Sequence, residues 1–189
     1  MKRPYFIALL IAFSFASCAK KNEKHGNLEI ARKYYEALQC FDGAQMKTLL
    51  GDSLATIETD YNYRQTFSKN EYVQDWLRWD SLFNPSYTVL EIEQDGEWVR
   101  SRISKMDARI KLLHGEPTVW KEVIRFEDGK ITRIARTNVV FNDTTWQKNV
   151  NALQSWVMEN HPELNGFLFD QTKDGGMKYV KAIELYTDR

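Results

Sequence analysis

From residue 86 onward the apolar residues recur every second position, and the alternation is interrupted twice by Asp-Gly. That pattern constrains the fold more than any other feature of the chain. Asp-Gly tolerates positive φ at both positions of a two-residue turn, so each pair marks a β-hairpin. The first hairpin is "YTVLEIEQDGEWVRSRI" with its turn at Asp95-Gly96, the second "TVWKEVIRFEDGKITRIARTNVV" with its turn at Asp128-Gly129. Pairing outward from the first turn places Leu90, Ile92, Val99, Ser101 and Ile103 on one face and sets Glu91 opposite Arg100. Beyond Ile103 the apolar parity moves to Met106, Ala108, Ile110 and Leu112. A one-residue slip would turn the strand inside out, so a β-bulge is expected between Ser104 and Asp107. In the second hairpin Trp120, Glu122, Ile124, Phe126, Ile131, Arg133, Ala135, Thr137 and Val139 share the face richer in large apolar groups, taken as the inner one.

Ahead of the meander the period is helical. "NLEIARKYYEALQCFDG" carries Leu28, Ala31, Tyr34, Tyr35, Leu38 and Phe41 on one face, with Asn27 as N-cap and Gly43 as stop. "AQMKTLL" reads as a short second helix and "ATIETDY" as a brief strand. "SKNEYVQDWLRWDSLFNP" opens with Ser68 and Glu71 at capping-box spacing, and Tyr72, Val73, Trp76, Leu77 and Phe83 share its apolar side. After the meander, Trp146, Val150, Leu153 and Val157 mark one amphipathic helix that stops at "NHP". "DGGMKYVKAIELY" marks another. Helices first and a bulged meander after them imply an α+β fold in which a curved, mostly antiparallel sheet wraps around N-terminal helices.

The helix "ARKYYEALQCFD", the capped helix "FSKNEYVQDWL" and above all "VIRFEDGKITRI" resemble the nuclear transport factor 2-like (SnoaL-like) superfamily over residues 27 to 141. The resemblance implies a cone-shaped α+β barrel with a cavity between helices and concave sheet, and a homodimer formed through the sheet. Residues 142–189 exceed the common form of that fold. This helical extension is too short to be a domain by itself, and it is expected either to cover the sheet or to cap the cavity mouth.

The first residues concern compartment. Lys2 and Arg3 precede the apolar run "FIALLIAFSF", and "FASC" follows, the charged, apolar and small-residue order of a signal peptide. As a helix the run reaches about 15 Å, half of a hydrocarbon core of ~30 Å, so it is too short for a permanent span. "FASC" resembles a bacterial lipobox, with Phe15 in place of the usual leucine. Residues 1–17 are thus read as a lipoprotein signal peptide, Cys18 as the lipidated anchor to the membrane and 18–26 as a tether. The tether is basic, which favours a periplasm-facing position on the outer membrane of the cell envelope. With Cys18 modified, Cys40 has no partner within the chain and is expected as a buried small hydrophobe. "DTT" at 143–145 and "DSL" at 52–54 and 80–82 resemble the short O-glycosylation acceptor of Bacteroidota. Without residues 1–17 the 26 basic residues become 24 against 26 acidic, net −2, which argues against nucleic acid as a partner.

The candidate for chemistry is Glu122. In SnoaL-like cyclases an inward acid on the strand before such a turn works as acid/base, and Glu122 matches that position. Lodged between Trp120 and Ile124 it would be desolvated, as a general acid or base near neutrality requires. The plainer reading pairs it with Arg133. The following strand offers Ile134 and Ala135 where relatives place a partner side chain. Tyr34, Tyr35, Tyr72, Trp76, Trp120, Ile124 and Arg133 are the expected ligand-pocket residues, although a tyrosine on an apolar helix face more often belongs to the core. His25, His114 and His161 lack ligand-spaced neighbours and read as solvated surface, so no metal is expected. No phosphate loop or activated nucleophile is visible, and no cofactor is expected. Three readings follow: a lipid-anchored receptor for a small apolar ligand or an interaction module; a cofactor-free isomerase, cyclase or hydrolase acting through Glu122; and a purely structural dimer whose cavity is filled by side chains.

Overall fold

The computed structural model describes residues 19–189, with side chains from residue 26 onward; the signal peptide and Cys18 lie outside the described residues. Helix α1 (Ala19–Cys40) is followed by α2 (Gly43–Leu49), β1 (Leu50–Glu58), a 3₁₀ turn and β2 (Tyr63–Ser68). A continuous helix over residues 69–81 comes next. It is α at α3 (Lys69–Glu71), π over Tyr72–Trp76 and α again at α4 (Leu77–Ser81). Strands β3 (Ser86–Asp95) and β4 (Trp98–Met106), helix α5 (Ala108–Leu113) and strands β5 (Thr118–Glu127) and β6 (Lys130–Val140) complete the barrel. Helices α6 (Asp143–Asn160) and α7 (Lys173–Thr187) form the extension.

The six strands run in the order β2-β1-β6-β5-β4-β3, antiparallel except where β1 meets β6. This is the expected α+β cone. Ala31, Tyr34, Tyr35 and Leu38 of α1 pack with Tyr72, Val73 and Leu77 against Leu54, Ile103, Ile124, Ile131 and Ile134 of the sheet. The capping box forms as the sequence implies, with Ser68 accepting from Glu71 N at 3.2 Å and Glu71 accepting from Ser68 N at 2.7 Å.

Several expectations are corrected. Helix α1 includes residues 19–26 of the stretch read as a tether, and Asn27 lies within it, donating to Glu97 O at 3.2 Å instead of capping. Cys40 is exposed, because Ala37 and Leu38 occupy the buried positions of that turn. The polar stretch 63–68, unremarked in the sequence, is strand β2. In the first hairpin Asp95 pairs with Trp98, so the loop is Gly96-Glu97 and Glu91 lies opposite Arg102, with their charges 3.6 Å apart. The bulge falls at Leu90, which is exposed, rather than after Ser104. The parity change beyond Ile103 has a different cause: β4 ends at Met106, and Asp107 accepts from Ile110 N to start a helix.

The extension packs on α4 and α5, around a second core of Trp79, Phe83, Leu113, Leu153, Val157, Phe167 and Tyr179. Gly176 permits this contact, and Gly175 permits a close approach to Asp170 of the connecting segment. A Cβ on Gly176 would stand 2.7 Å from Leu82 Cδ1 and 2.9 Å from Trp79 Cδ1.

Candidate functional site

Glu122 is buried, as its place between Trp120 and Ile124 implies. The partner across β6 differs from the expected one. Phe126 pairs with Ile131 but Arg125 pairs with Arg133, so Thr132 is an extra residue that shifts the rest of β6 by one. Beyond it Ile134, Arg136 and Asn138 face inward opposite Ile124, Glu122 and Trp120, while Arg133 leaves the inner face. Arg136 Nε therefore donates to Glu122 Oε1 at 2.7 Å, and Trp120 Nε1 donates to the same oxygen at 2.8 Å. Tyr35 donates to Oε2 at 2.5 Å. With its proton so committed, the Tyr35 oxygen accepts from Ser101 Oγ, also at 2.5 Å.

The electrostatics follow from burial. Burial opposes the Arg136 charge, yet Glu122 and then Glu58 outweigh it and hold its pKa well above the ordinary value. Burial, then the Glu122 charge, pushes Tyr35 well above its ordinary value. The same two causes raise Tyr34 to about 12, so both phenols stay protonated. Three donors occupy most of the roughly four acceptor positions of a carboxylate. The arrangement suits an acid that fixes an arginine.

Beyond Arg136 lies a cavity of about 240 Å³, walled by Trp76, Trp79, Trp120, Phe141 and Trp146, with Glu58, Thr118 and Asn138 among its polar members. Trp76 is held by the π turn, its ring 4.8 Å from that of Tyr72 and nearly parallel to it. Such turns recur at functional sites. The Tyr72 hydroxyl in turn meets that of Tyr34 at 2.9 Å.

Deep in the cavity is a second charged cluster that the sequence reading missed. Asp80 Oδ1 accepts from Lys105 at 2.6 Å and Arg109 at 3.1 Å, and its Oδ2 accepts from Tyr87 at 2.6 Å. Asp107 Oδ2 meets Arg109 at 2.5 Å and Lys105 at 3.2 Å. The Arg109 guanidinium lies 4.3 Å from the Trp79 ring and 4.1 Å from the Phe83 ring. Burial alone would raise the Asp107 pKa, but Arg109 and Lys105 bring it below the ordinary value. Burial lowers that of Lys105 against the pull of Asp80. Alternation from Ile103 to Lys105 was the one available signal, since it points a lysine inward.

Of the expected pocket residues, Trp76 and Trp120 line the cavity. Tyr34, Tyr35, Tyr72 and Ile124 are core beneath it, and Arg136 stands where Arg133 was expected. His114, expected on the surface, is part-exposed and also serves as a joint. Its ring stacks on Phe141, Nδ1 meets Glu116 O at 2.8 Å, and Nε2 accepts from Asn142 N at 2.8 Å. Among the described residues no group of three or more His, Cys, Asp or Glu is placed to hold a metal, and no helix is long and apolar enough to cross a membrane.

No family model and no curated protein matches the chain in sequence. Solved structures do match in fold. An epoxide hydrolase of the LEH-like type from M. tuberculosis is 18% identical, with a TM-score of 0.51 over 69% of this chain and 96% of that one. An NTF2-like protein of unknown function from Mesorhizobium loti is 17% identical, with a TM-score of 0.52 over 62% and 94%. A proposed ketosteroid isomerase from Kribbella flavida is 17% identical, with a TM-score of 0.52 over 64% and 83%. At these identities the likeness establishes the fold: residues 19–189 include the NTF2-like cone.

Proposed function

We propose that the barrel is a receptor for a small flat molecule with a hydrogen-bond-accepting end, carried by a lipoprotein anchored through Cys18 to the cell envelope. The supporting observation is the cavity. Its walls are aromatic, and its donors are Arg136, Lys105, Asn138 and Thr118. Side chains of Glu122, Asp80 and Asp107 are at most 1% exposed, whereas Arg136 keeps 15% and Lys105 8%. Arg136 and Lys105 thus offer more surface to a ligand than these three acids, while Glu58, 3.6 Å from Arg136 and 34% exposed, adds an acceptor at the cavity wall. A volume of about 240 Å³ falls below the usual ~300–1,000 Å³ of small-molecule sites, which favours a ligand of one or two rings. The purely apolar ligand expected from sequence suits these walls less well. The test is thermal shift and calorimetry of the full chain with benzoate and benzamide. Saturable stabilisation supports the reading; no heat and no shift from either probe removes it. Loss of acyl-chain labelling in Cys18→Ser would support the anchor.

A second reading, a cofactor-free hydrolase or isomerase acting through Glu122, draws support from the likeness in fold to the M. tuberculosis epoxide hydrolase and the proposed Kribbella flavida ketosteroid isomerase. Its test is turnover of styrene oxide by the native protein and by Glu122→Gln. Turnover lost with benzoate binding intact favours the enzyme, and turnover absent or unchanged ends it.

A further inference from the structure

Outside the barrel, the extension forms a groove of about 370 Å³ between α6 and the segment 168–171. It shares only Trp79, Arg109 and Trp146 with the barrel cavity. We propose that this groove binds a neutral saccharide, a ligand separate from that of the barrel.

The argument begins with the residue types. Gln147, Asn151 and Gln154 stand at i, i+4 and i+7 on α6, so they fall on one face, and all three line the groove. Gln171 faces them from the connecting segment, its Oε1 accepting from Gln65 Nε2 at 3.3 Å. A carboxamide carries both donors and an acceptor, whereas a carboxylate only accepts and an ammonium only donates. A sugar hydroxyl also donates and accepts, and neighbouring hydroxyls on a ring ask for both from the same wall. Among the described residues Arg109 is the only charged one lining the groove. Lined chiefly by amides and aromatics, it does not select for an ionic ligand.

The apolar walls fit the same class. Trp146 is half-buried and Phe169 is 82% exposed. The negative face of an aromatic ring attracts positively polarised hydrogens, which the C–H face of a pyranose supplies. Trp79 adds a further ring to this wall, itself only 6% exposed. The volume lies within the ~300–1,000 Å³ of small-molecule sites and suits a mono- or disaccharide.

The experiment is saturation-transfer NMR and tryptophan fluorescence of the full chain with glucose, maltose, cellobiose and chitobiose. At least one sugar is expected to bind saturably with a Kd of about 1 mM or tighter. Gln147→Ala/Gln154→Ala should weaken that binding by about tenfold or more through lost hydrogen bonds. Both sites favour alanine as a helix former, so circular dichroism should show the fold intact. Trp146→Ala should abolish transfer to the sugar ring protons. Absence of saturable binding by all four sugars, or binding unchanged in the double variant, would overturn the proposal.

Discussion

The two buried charge clusters differ in where their charges come from. Around Glu122 one carboxylate gathers three donors, from β5, β6 and α1. Around Asp80 two carboxylates and two cations come from α4, from the end of β4 and from the start of α5. The first cluster belongs wholly to the barrel and presents an oriented guanidinium to the cavity. The second joins the barrel to the extension, since Arg109 lies against Trp79 and Phe83 of the second core. A buried ion pair is weak evidence for net stability, but removing one side of it is expensive. The clusters therefore separate by what is left uncompensated.

The largest effect is expected for Arg109→Met, which leaves two buried acids with one lysine and loses the stacking. Urea unfolding should show a loss of about 3–5 kcal/mol, and a loss below about 1 kcal/mol would remove the clamp role. Arg136→Met should cost less, about 3 kcal/mol, because Tyr35 and Trp120 still donate to Glu122; the benzoate response should vanish with it. An equal or greater cost for Arg136→Met would reverse the ranking of the clusters. Tyr35→Phe removes the hydrogen bond to the Glu122 carboxylate, worth about 2 kcal/mol, together with the one accepted from Ser101, and should leave benzoate binding in place.

The smallest effect concerns pH. Asp107 has a depressed folded-state pKa because Arg109 and Lys105 outweigh its burial. Its contribution is thus complete above the unfolded value of about 3.9 and is lost as pH falls through the lower folded value. Urea midpoints should fall on going from about pH 5 to pH 3, and by less in Asp107→Asn. An identical slope in that variant would show that other acids carry the loss.

Legibility in the sequence followed the range of the interactions. The capping box and the Asp128-Gly129 turn depend on neighbours in the chain, and both form where expected, with positive φ at both turn residues. Glu122 was legible because alternation from Trp120 to Ile124 is unbroken on β5. Arg136 was not, because counting from the turn assumes a regular ladder and Thr132 breaks it. The cluster of Asp80, Lys105, Asp107 and Arg109 was invisible for another reason. Its members join three elements, and the 105–113 segment reads as continued strand until Asp107 is seen to cap a helix. Strand β2, polar throughout except at its buried Phe67, offered no period to detect.

The extra residue at Thr132 also sets how this cavity can change by descent. A substitution alters one wall position, but inserting one residue after Thr132, with the bulge kept, would change the phase of the rest of β6. Arg133, Ala135 and Thr137 would then turn inward in place of Ile134, Arg136 and Asn138, leaving Glu122 and the Asp128-Gly129 hairpin untouched. Insertion at this spot acts as a frame selector for the strand, and two chains of near-identical composition could line the same cone with different chemistry.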